Sequence, residues 1–183
     1  MKLLSMLFLL AALMSMTGCA SYVPPDNVDF AVVNDIGDFC GTYANQGIGE
    51  KSDAPNKRII YLSSLFWPAL DNKQNALISK VEISRFDGNS VFVRAIGANG
   101  VEKEAAFVRG RDFDLENGRI CLSRQWGLPS PIVGIGYKTS YIGLDVRKDG
   151  KYKERTSAAG LLALLIPFAA SVSGEVRFER LAD

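Results

Sequence analysis

Apolar and polar residues alternate along much of the chain after residue 78, which is the pattern of half-buried β-strands. The clearest runs are 80–86 and 90–96, and their apolar positions are Val81, Ile83, Val91, Val93 and Ala95. Four dipeptides that favour the positive φ angles of tight hairpin turns separate such runs. They are Asp87-Gly88, Asn99-Gly100, Asn117-Gly118 and Asp149-Gly150. The pattern predicts an antiparallel meander.

The predicted strands are 39–45, 79–86, 90–97, 101–109, 112–116, 119–125, 138–148, 151–157 and 174–181. Since open sheet edges invite aggregation, a meander of this length closes on itself or forms two layers. We therefore expect a mainly β fold, a small barrel or half-barrel of about eight strands. One short helix is expected after the first strand, in the apolar segment 58–70, where Ser63 or Ser64 caps it. Pro68 either ends this helical turn or lies at the start of the next one.

Residues 158–170 interrupt this pattern, because they contain no charged side chain and no clear alternation. The segment is too short to cross a bilayer as a helix, and Pro167 prevents an uninterrupted one. Two interpretations remain open. The segment is an apolar loop or helical turn that plugs the barrel, or it is an exposed loop that touches lipid or a partner.

The first 16 residues differ from the rest of the chain. Lys2 is followed by an uncharged apolar run from Leu3 to Met16, about 14 residues long. A run of this length is short for a bilayer-spanning helix but typical of a secretory signal peptide.

The run ends in Met16-Thr17-Gly18-Cys19. This tetrapeptide resembles the lipobox of bacterial lipoproteins, although Met16 replaces the usual Leu. The resemblance implies cleavage before Cys19 by a lipoprotein-type signal peptidase and attachment of acyl chains such as palmitate to Cys19. The alternative is a plain signal peptide followed by an accidental cysteine. The predicted divisions are a signal peptide (1–18), an acylated tether containing Pro24 and Pro25 (19–37), and one β-rich periplasmic domain (38–183).

The net charge and the absence of histidine exclude several classes of function. Loss of Lys2 with the signal peptide leaves 20 basic side chains, which is 21 minus one, against 20 acidic ones. This balance gives no electrostatic attraction to nucleic acid or to an anionic membrane. The chain has no histidine, which excludes Ser-His-Asp and Cys-His catalysis and any His-containing zinc site. We predict no catalytic residues, no metal and no cofactor.

Cys40 and Cys121 remain once Cys19 is acylated. Because an exported protein folds in an oxidising compartment, they are predicted to form a disulfide. In the chain-entropy model a loop of this length stabilises the fold by about 4–5 kcal/mol. The alternative is two separately buried small side chains.

Aromatic residues are spread over the predicted strands, where they fill the core or line a ligand cavity. The first strand carries Gly41-Thr42-Tyr43, which resembles the Gly-x-Trp motif of lipocalins without its Trp. The candidate ligand or partner contacts are Tyr43, Trp67, Trp126, Leu161, Leu162, Leu164, Leu165, Ile166 and Phe168.

The whole layout is similar to small proteobacterial envelope lipoproteins, a resemblance that carries no active residues. It implies a non-enzymatic, lipid-anchored lipoprotein at the periplasmic face of the outer membrane, acting in envelope binding or scaffolding. Ala20 favours the outer membrane, because Asp at this position commonly retains enterobacterial lipoproteins in the inner membrane. The expected partners are the membrane, through the acyl chains, and an envelope protein or lipid. The alternative function is a lipocalin-like carrier of a lipid or small apolar ligand.

Overall fold

The computed structural model describes residues 17–49, 59–127, 132–162 and 166–182. Side chains are described for residues 21–49, 59–122, 134–161 and 169–182. The described chain is mainly β, as predicted.

Eleven strands and three short helical elements follow one another within these ranges. The strands are β1 (Thr17–Tyr22), β2 (Gly41–Ala44), β3 (Ile78–Arg85), β4 (Ser90–Gly97), β5 (Gly100–Val108), β6 (Asp114–Glu116), β7 (Arg119–Gly127), β8 (Ile132–Leu144), β9 (Gly150–Leu162), β10 (Ile166–Phe178) and β11 (Arg180–Leu181). The helical elements are a 3₁₀ turn (Ile36–Phe39), α1 (Leu62–Phe66) and α2 (Asn72–Leu77).

The strands form two sheets. The six-stranded sheet has the order β1-β10-β9-β8-β7-β6, and the five-stranded sheet has the order β11-β2-β3-β4-β5. The predicted barrel or half-barrel is not confirmed, because the described strands belong to two sheets that share no strand. No helix in the described ranges is long and apolar enough to cross a membrane.

The chain divides into two compact units. The major unit comprises Tyr22–Leu122, Tyr141–Lys153 and Glu175–Asp183. The described residues of the minor unit are 17–21, 123–127, 132–140, 154–162 and 166–174.

The major unit contains the hydrophobic core. The alternation predicted for β3 and β4 is confirmed, since Val81 pairs with Ala95 and Ile83 pairs with Val93, and all four side chains are buried. Tyr43, Tyr152 and Phe178 are the largest fully buried side chains. The core therefore draws on both sheets within this unit.

One predicted turn shows why the sequence signals hairpins. Asn117 and Gly118 both have positive φ angles, 50° and 71°, between the paired residues Glu116 and Arg119. Asn and Gly adopt this conformation at least steric cost. The hairpin of β6 and β7 follows directly from this dipeptide.

The predicted first strand is shorter than expected, because a 3₁₀ turn occupies its first residue. Asp35 begins this turn by accepting a hydrogen bond from Gly37 N (2.6 Å), and Asp38 accepts one from Asp35 N (3.3 Å). This reciprocal capping fixes the turn, and β2 begins only at Gly41.

The helix predicted in segment 58–70 is confirmed as α1, which ends one residue before Trp67. Neither Ser63 nor Ser64 caps it, since the N-cap residue is Tyr61. A second helix, α2, was not predicted. It begins with a capping box in which Asp71 and Gln74 each accept a hydrogen bond from the other's backbone N–H.

Segment 158–170 is not a loop or a helical turn over most of its length. Residues 158–162 continue β9, and residues 166–170 begin β10. Three residues connect these neighbouring strands, so they form an antiparallel hairpin.

Candidate functional site

Cys19, the predicted acylation site, lies in β1 of the minor unit. β1 is the edge strand of its sheet, and its neighbour is β10. β10 is also one arm of the hairpin that contains the apolar segment 158–170. The structure therefore places the backbone of Cys19 on the strand beside this hairpin.

The faces of the minor unit can be assigned from two side-chain contacts. Ser157 Oγ lies 3.3 Å from Ser171 Oγ, so these residues share one face of β9 and β10. Lys138 Nζ lies 2.8 Å from Glu154 Oε2, so these two share a face of β8 and β9. Because successive side chains alternate between faces, the serine pair and the ion pair lie on opposite faces.

The serine-bearing face is apolar towards one end. Ile135, Tyr137 and Leu161 lie on it with exposures of 51%, 48% and 38%. Ala159 and Ala169, two residues beyond the serine pair, are exposed beside them. We call these five residues the apolar face.

The opposite face of the same strands is more enclosed. Glu154 is buried beside Lys138, and Gly136, Ser140 and Gly174 are buried as well. More of the exposed apolar side chains lie on the serine-bearing face, although Ala170 and Val172, which is 43% exposed, lie on the other.

Charge is scarce around the apolar face. Residues 125–137 and 156–174 contain no Asp, Glu, Lys or Arg. Arg155, which is exposed, lies on the same face as the serine pair. The serine-bearing face therefore carries the aliphatic residues and the tyrosine of the apolar face together with one basic residue, Arg155.

A second feature, in the major unit, fixes residues 27–33, which we call the strap. Lys151 donates hydrogen bonds through Nζ to Asn27 Oδ1 (3.0 Å) and to the carbonyl oxygen of Val28. Asn27 Nδ2 in turn donates to Glu175 Oε2 (2.8 Å). The strap is therefore bonded to side chains of β9 and β10.

Glu175 carries the strongest electrostatic perturbation among these groups. Lys151 Nζ and Lys153 Nζ each lie 2.8 Å from one of its carboxylate oxygens. Burial alone would raise the pKa of Glu175, but hydrogen bonds from Lys151, Lys153 and Asn27 outweigh burial and lower its pKa to about 2. Glu175 is a charged, fully paired carboxylate at neutral pH.

Phe30 holds the middle of the strap. The guanidinium carbon of Arg119 lies 4.3 Å from its ring centroid, and Lys151 Nζ lies 4.9 Å from it. Gly143 is next to the ring, where an added Cβ would be 2.6 Å from a Phe30 ring carbon. The absence of a side chain at Gly143 is what allows Phe30 to lie there.

The two aromatic candidates in the major unit are packed internally. Tyr43 is buried in the core, and its hydroxyl donates to the carbonyl oxygen of Phe39 (2.9 Å). Burial raises the pKa of Tyr43 to about 12. Trp67 is partly buried, with its ring 6.0 Å from that of Phe66 and 5.9 Å from that of Phe107.

The remaining candidates lie partly or wholly outside the described residues. The backbones of Trp126, Leu162, Ile166 and Phe168 belong to β7, β9 and β10, but their side chains are not described. Leu164 and Leu165 lie outside the described residues altogether. Of the apolar candidates in 158–170, Leu161 is the one whose side chain is described.

The structure does not contain the predicted disulfide between Cys40 and Cys121. Cys40 directly precedes β2 of the five-stranded sheet, whereas Cys121 lies on β7 of the six-stranded sheet and pairs with Asp114 of β6. Cys121 is buried, as the alternative interpretation required, and Cys40 is half-buried.

The strap and its partners were missed by sequence reasoning. Asn27 and Glu175 are far apart in sequence, and no local pattern links them. The described residues contain no group of three or more Cys, Asp or Glu side chains placed to hold a metal ion. Comparison with protein-family models, curated proteins and solved structures gives no match.

Proposed function

We propose that this protein is a non-enzymatic lipoprotein, held at the periplasmic face of the outer membrane by acyl chains on Cys19, that acts in envelope binding or scaffolding. The observation that carries the proposal is the position of Cys19 on an edge strand beside the hairpin that contributes to the apolar face.

The electrostatics of Glu175 do not fit the role of a general acid. A general acid needs a carboxyl group whose pKa is raised towards neutrality. The pKa of Glu175 is instead lowered, and its partners bind the strap. This buried cluster has a structural task.

The lipocalin-like carrier has less support. Its proposed lining included Tyr43 and Trp67, and both side chains pack against other residues of the major unit. They fill space that a ligand would need.

Cell fractionation tests the proposal. Wild-type protein should sediment with outer membranes and resist a high-salt wash, whereas Cys19→Ser, which cannot be acylated, should be absent from the outer-membrane fraction. Cys40→Ser is the matched control, because it also removes one thiol but leaves the proposed anchor intact. If Cys19→Ser stays with the outer membranes after the wash, the anchoring proposal is wrong.

A further inference from the structure

We infer that the apolar face of the minor unit rests on the lipid surface that receives the Cys19 acyl chains. The inference depends on the proposed anchoring and adds a second contact to it. The apolar face consists of Ile135, Tyr137, Ala159, Leu161 and Ala169, as defined above.

The apolar face and Cys19 belong to the same sheet. Cys19 lies in β1, and the sheet continues through β10 and β9 to β8. Neighbouring strands are about 4.8 Å apart, so β8 lies roughly 14 Å from β1 across the sheet. An acylated Cys19 is attached at the level of the lipid headgroups, and the apolar face is therefore held within a short distance of the bilayer.

The side chains of the apolar face are of types that suit a membrane interface. Tyrosine is enriched at membrane interfaces, where its ring contacts apolar chains and its hydroxyl stays hydrated. Tyr137 supplies such a ring beside Ile135, and Leu161 adds aliphatic surface from the neighbouring strand.

The charged side chains of the minor unit are also placed as a lipid surface requires. A lipid surface rejects buried acids but favours basic residues at the headgroup level. The acid of the minor unit's described strands, Glu154, is paired with Lys138 on the opposite face. Exposed Arg155 lies on the same face as the apolar residues, where it can meet lipid phosphates.

The test measures how closely each face approaches lipid. Acylated full-length mature protein is reconstituted into vesicles of phosphatidylethanolamine and phosphatidylglycerol that contain doxyl-labelled phosphatidylcholine. Tryptophan is introduced as Tyr137→Trp on the apolar face or as Val172→Trp on the opposite face. The emission of wild-type protein, from Trp67 and Trp126, is subtracted from that of each variant.

We expect the added Trp at position 137 to lose about half of its emission or more, because an interfacial face sits about 5–10 Å into the headgroup region. The added Trp at position 172 should be quenched much less. Leu161→Trp repeats the test from β9 if the first variant folds poorly.

Three results overturn the inference. Equal quenching at positions 137 and 172 would mean that both faces meet lipid. Absence of quenching at both positions would mean that the face lies against a second copy, a protein or water. Quenching at position 172 alone would mean that the opposite face, and not the apolar face, contacts the lipid.

Failure of this inference is distinguishable from failure of the anchoring proposal. Intact-mass measurement of the same sample shows whether Cys19 carries acyl chains. If the chains are present and position 137 is unquenched, only the inference of a second contact is wrong.

Discussion

Lys151 Nζ and Glu175 Oε2 lie 2.8 Å apart, and both side chains are nearly excluded from water. The pair also binds the strap, since Lys151 and Glu175 each hydrogen-bond to Asn27. One ion pair between two strands therefore fixes a chain segment that is more than a hundred residues away in sequence.

Removing Lys151 should destabilise the major unit. Lys151→Met leaves a largely buried carboxylate with fewer partners, and we expect the free energy of unfolding to fall by about 3 kcal/mol. Urea denaturation of wild-type protein and Lys151→Met measures this difference in the free energy of unfolding. Arg111→Ala, which removes an exposed ion pair with Asp112, should leave the free energy of unfolding nearly unchanged. A fall of similar size in both variants would contradict the structural role of the buried pair.

Glu175 should also make stability depend on pH. Its folded pKa of about 2 lies below the ordinary value of 4.5, so its stabilising contribution is full above pH 4.5 and is lost as the pH falls towards 2. The melting temperature of wild-type protein should drop across this window. In Glu175→Gln the drop should be smaller, and an unchanged profile would show that another carboxyl group is responsible.

A side chain at Gly143 should displace the strap. In Gly143→Ala the new Cβ would be 2.6 Å from the Phe30 ring, so Phe30 must move away from Arg119 and Lys151. We expect faster hydrogen exchange at the Ala31 amide, which donates to the carbonyl oxygen of Leu144 (2.8 Å). Gly88→Ala is the control, because nothing lies within 4 Å of its added Cβ. Unchanged exchange in Gly143→Ala would mean that the strap is not held by Phe30.

Asn45 should be needed for the attachment of the two α-helices. Its buried side chain donates to the carbonyl oxygens of Asn75 and Ile78 (2.9 Å each) and accepts from Ser63 N (2.8 Å). Asn45→Ala leaves these buried groups without that partner, and a loss of about 3 kcal/mol is expected from chemical denaturation. Gln46→Ala, at an exposed neighbour, should be nearly neutral. Equal stabilities of the two variants would refute the role of Asn45.

The meander of β3, β4 and β5 could be predicted from sequence because local signals determine it. Val81 and Ile83 alternate with polar residues, and Asn99-Gly100 marks a turn. The hairpin of β9 and β10 gave no such signal. On β9, exposed Ala159 and Leu161 alternate with half-buried Ala158 and Gly160, so both faces are apolar or small and the contrast between them is lost.

The strap was unpredictable for a different reason. Its partners, Lys151 and Glu175, look like ordinary surface charges in sequence, and burial becomes visible only when the strands are assembled. Pairing of Cys40 with Cys121 was inferred from compartment chemistry, which gives no information on which sheet each cysteine occupies. Local conformation could be predicted from the sequence, but the contacts between residues far apart in the chain could not.

The anchor on Cys19 is the central claim, and intact-mass spectrometry of protein purified from membranes tests it most directly. We expect a chain that begins at Cys19 and carries the added mass of a diacylglyceryl group, with or without a third acyl chain. Cys19→Ser should lack this mass. A chain that retains residues 1–18, or a mature chain with an unmodified Cys19 thiol, would contradict the account.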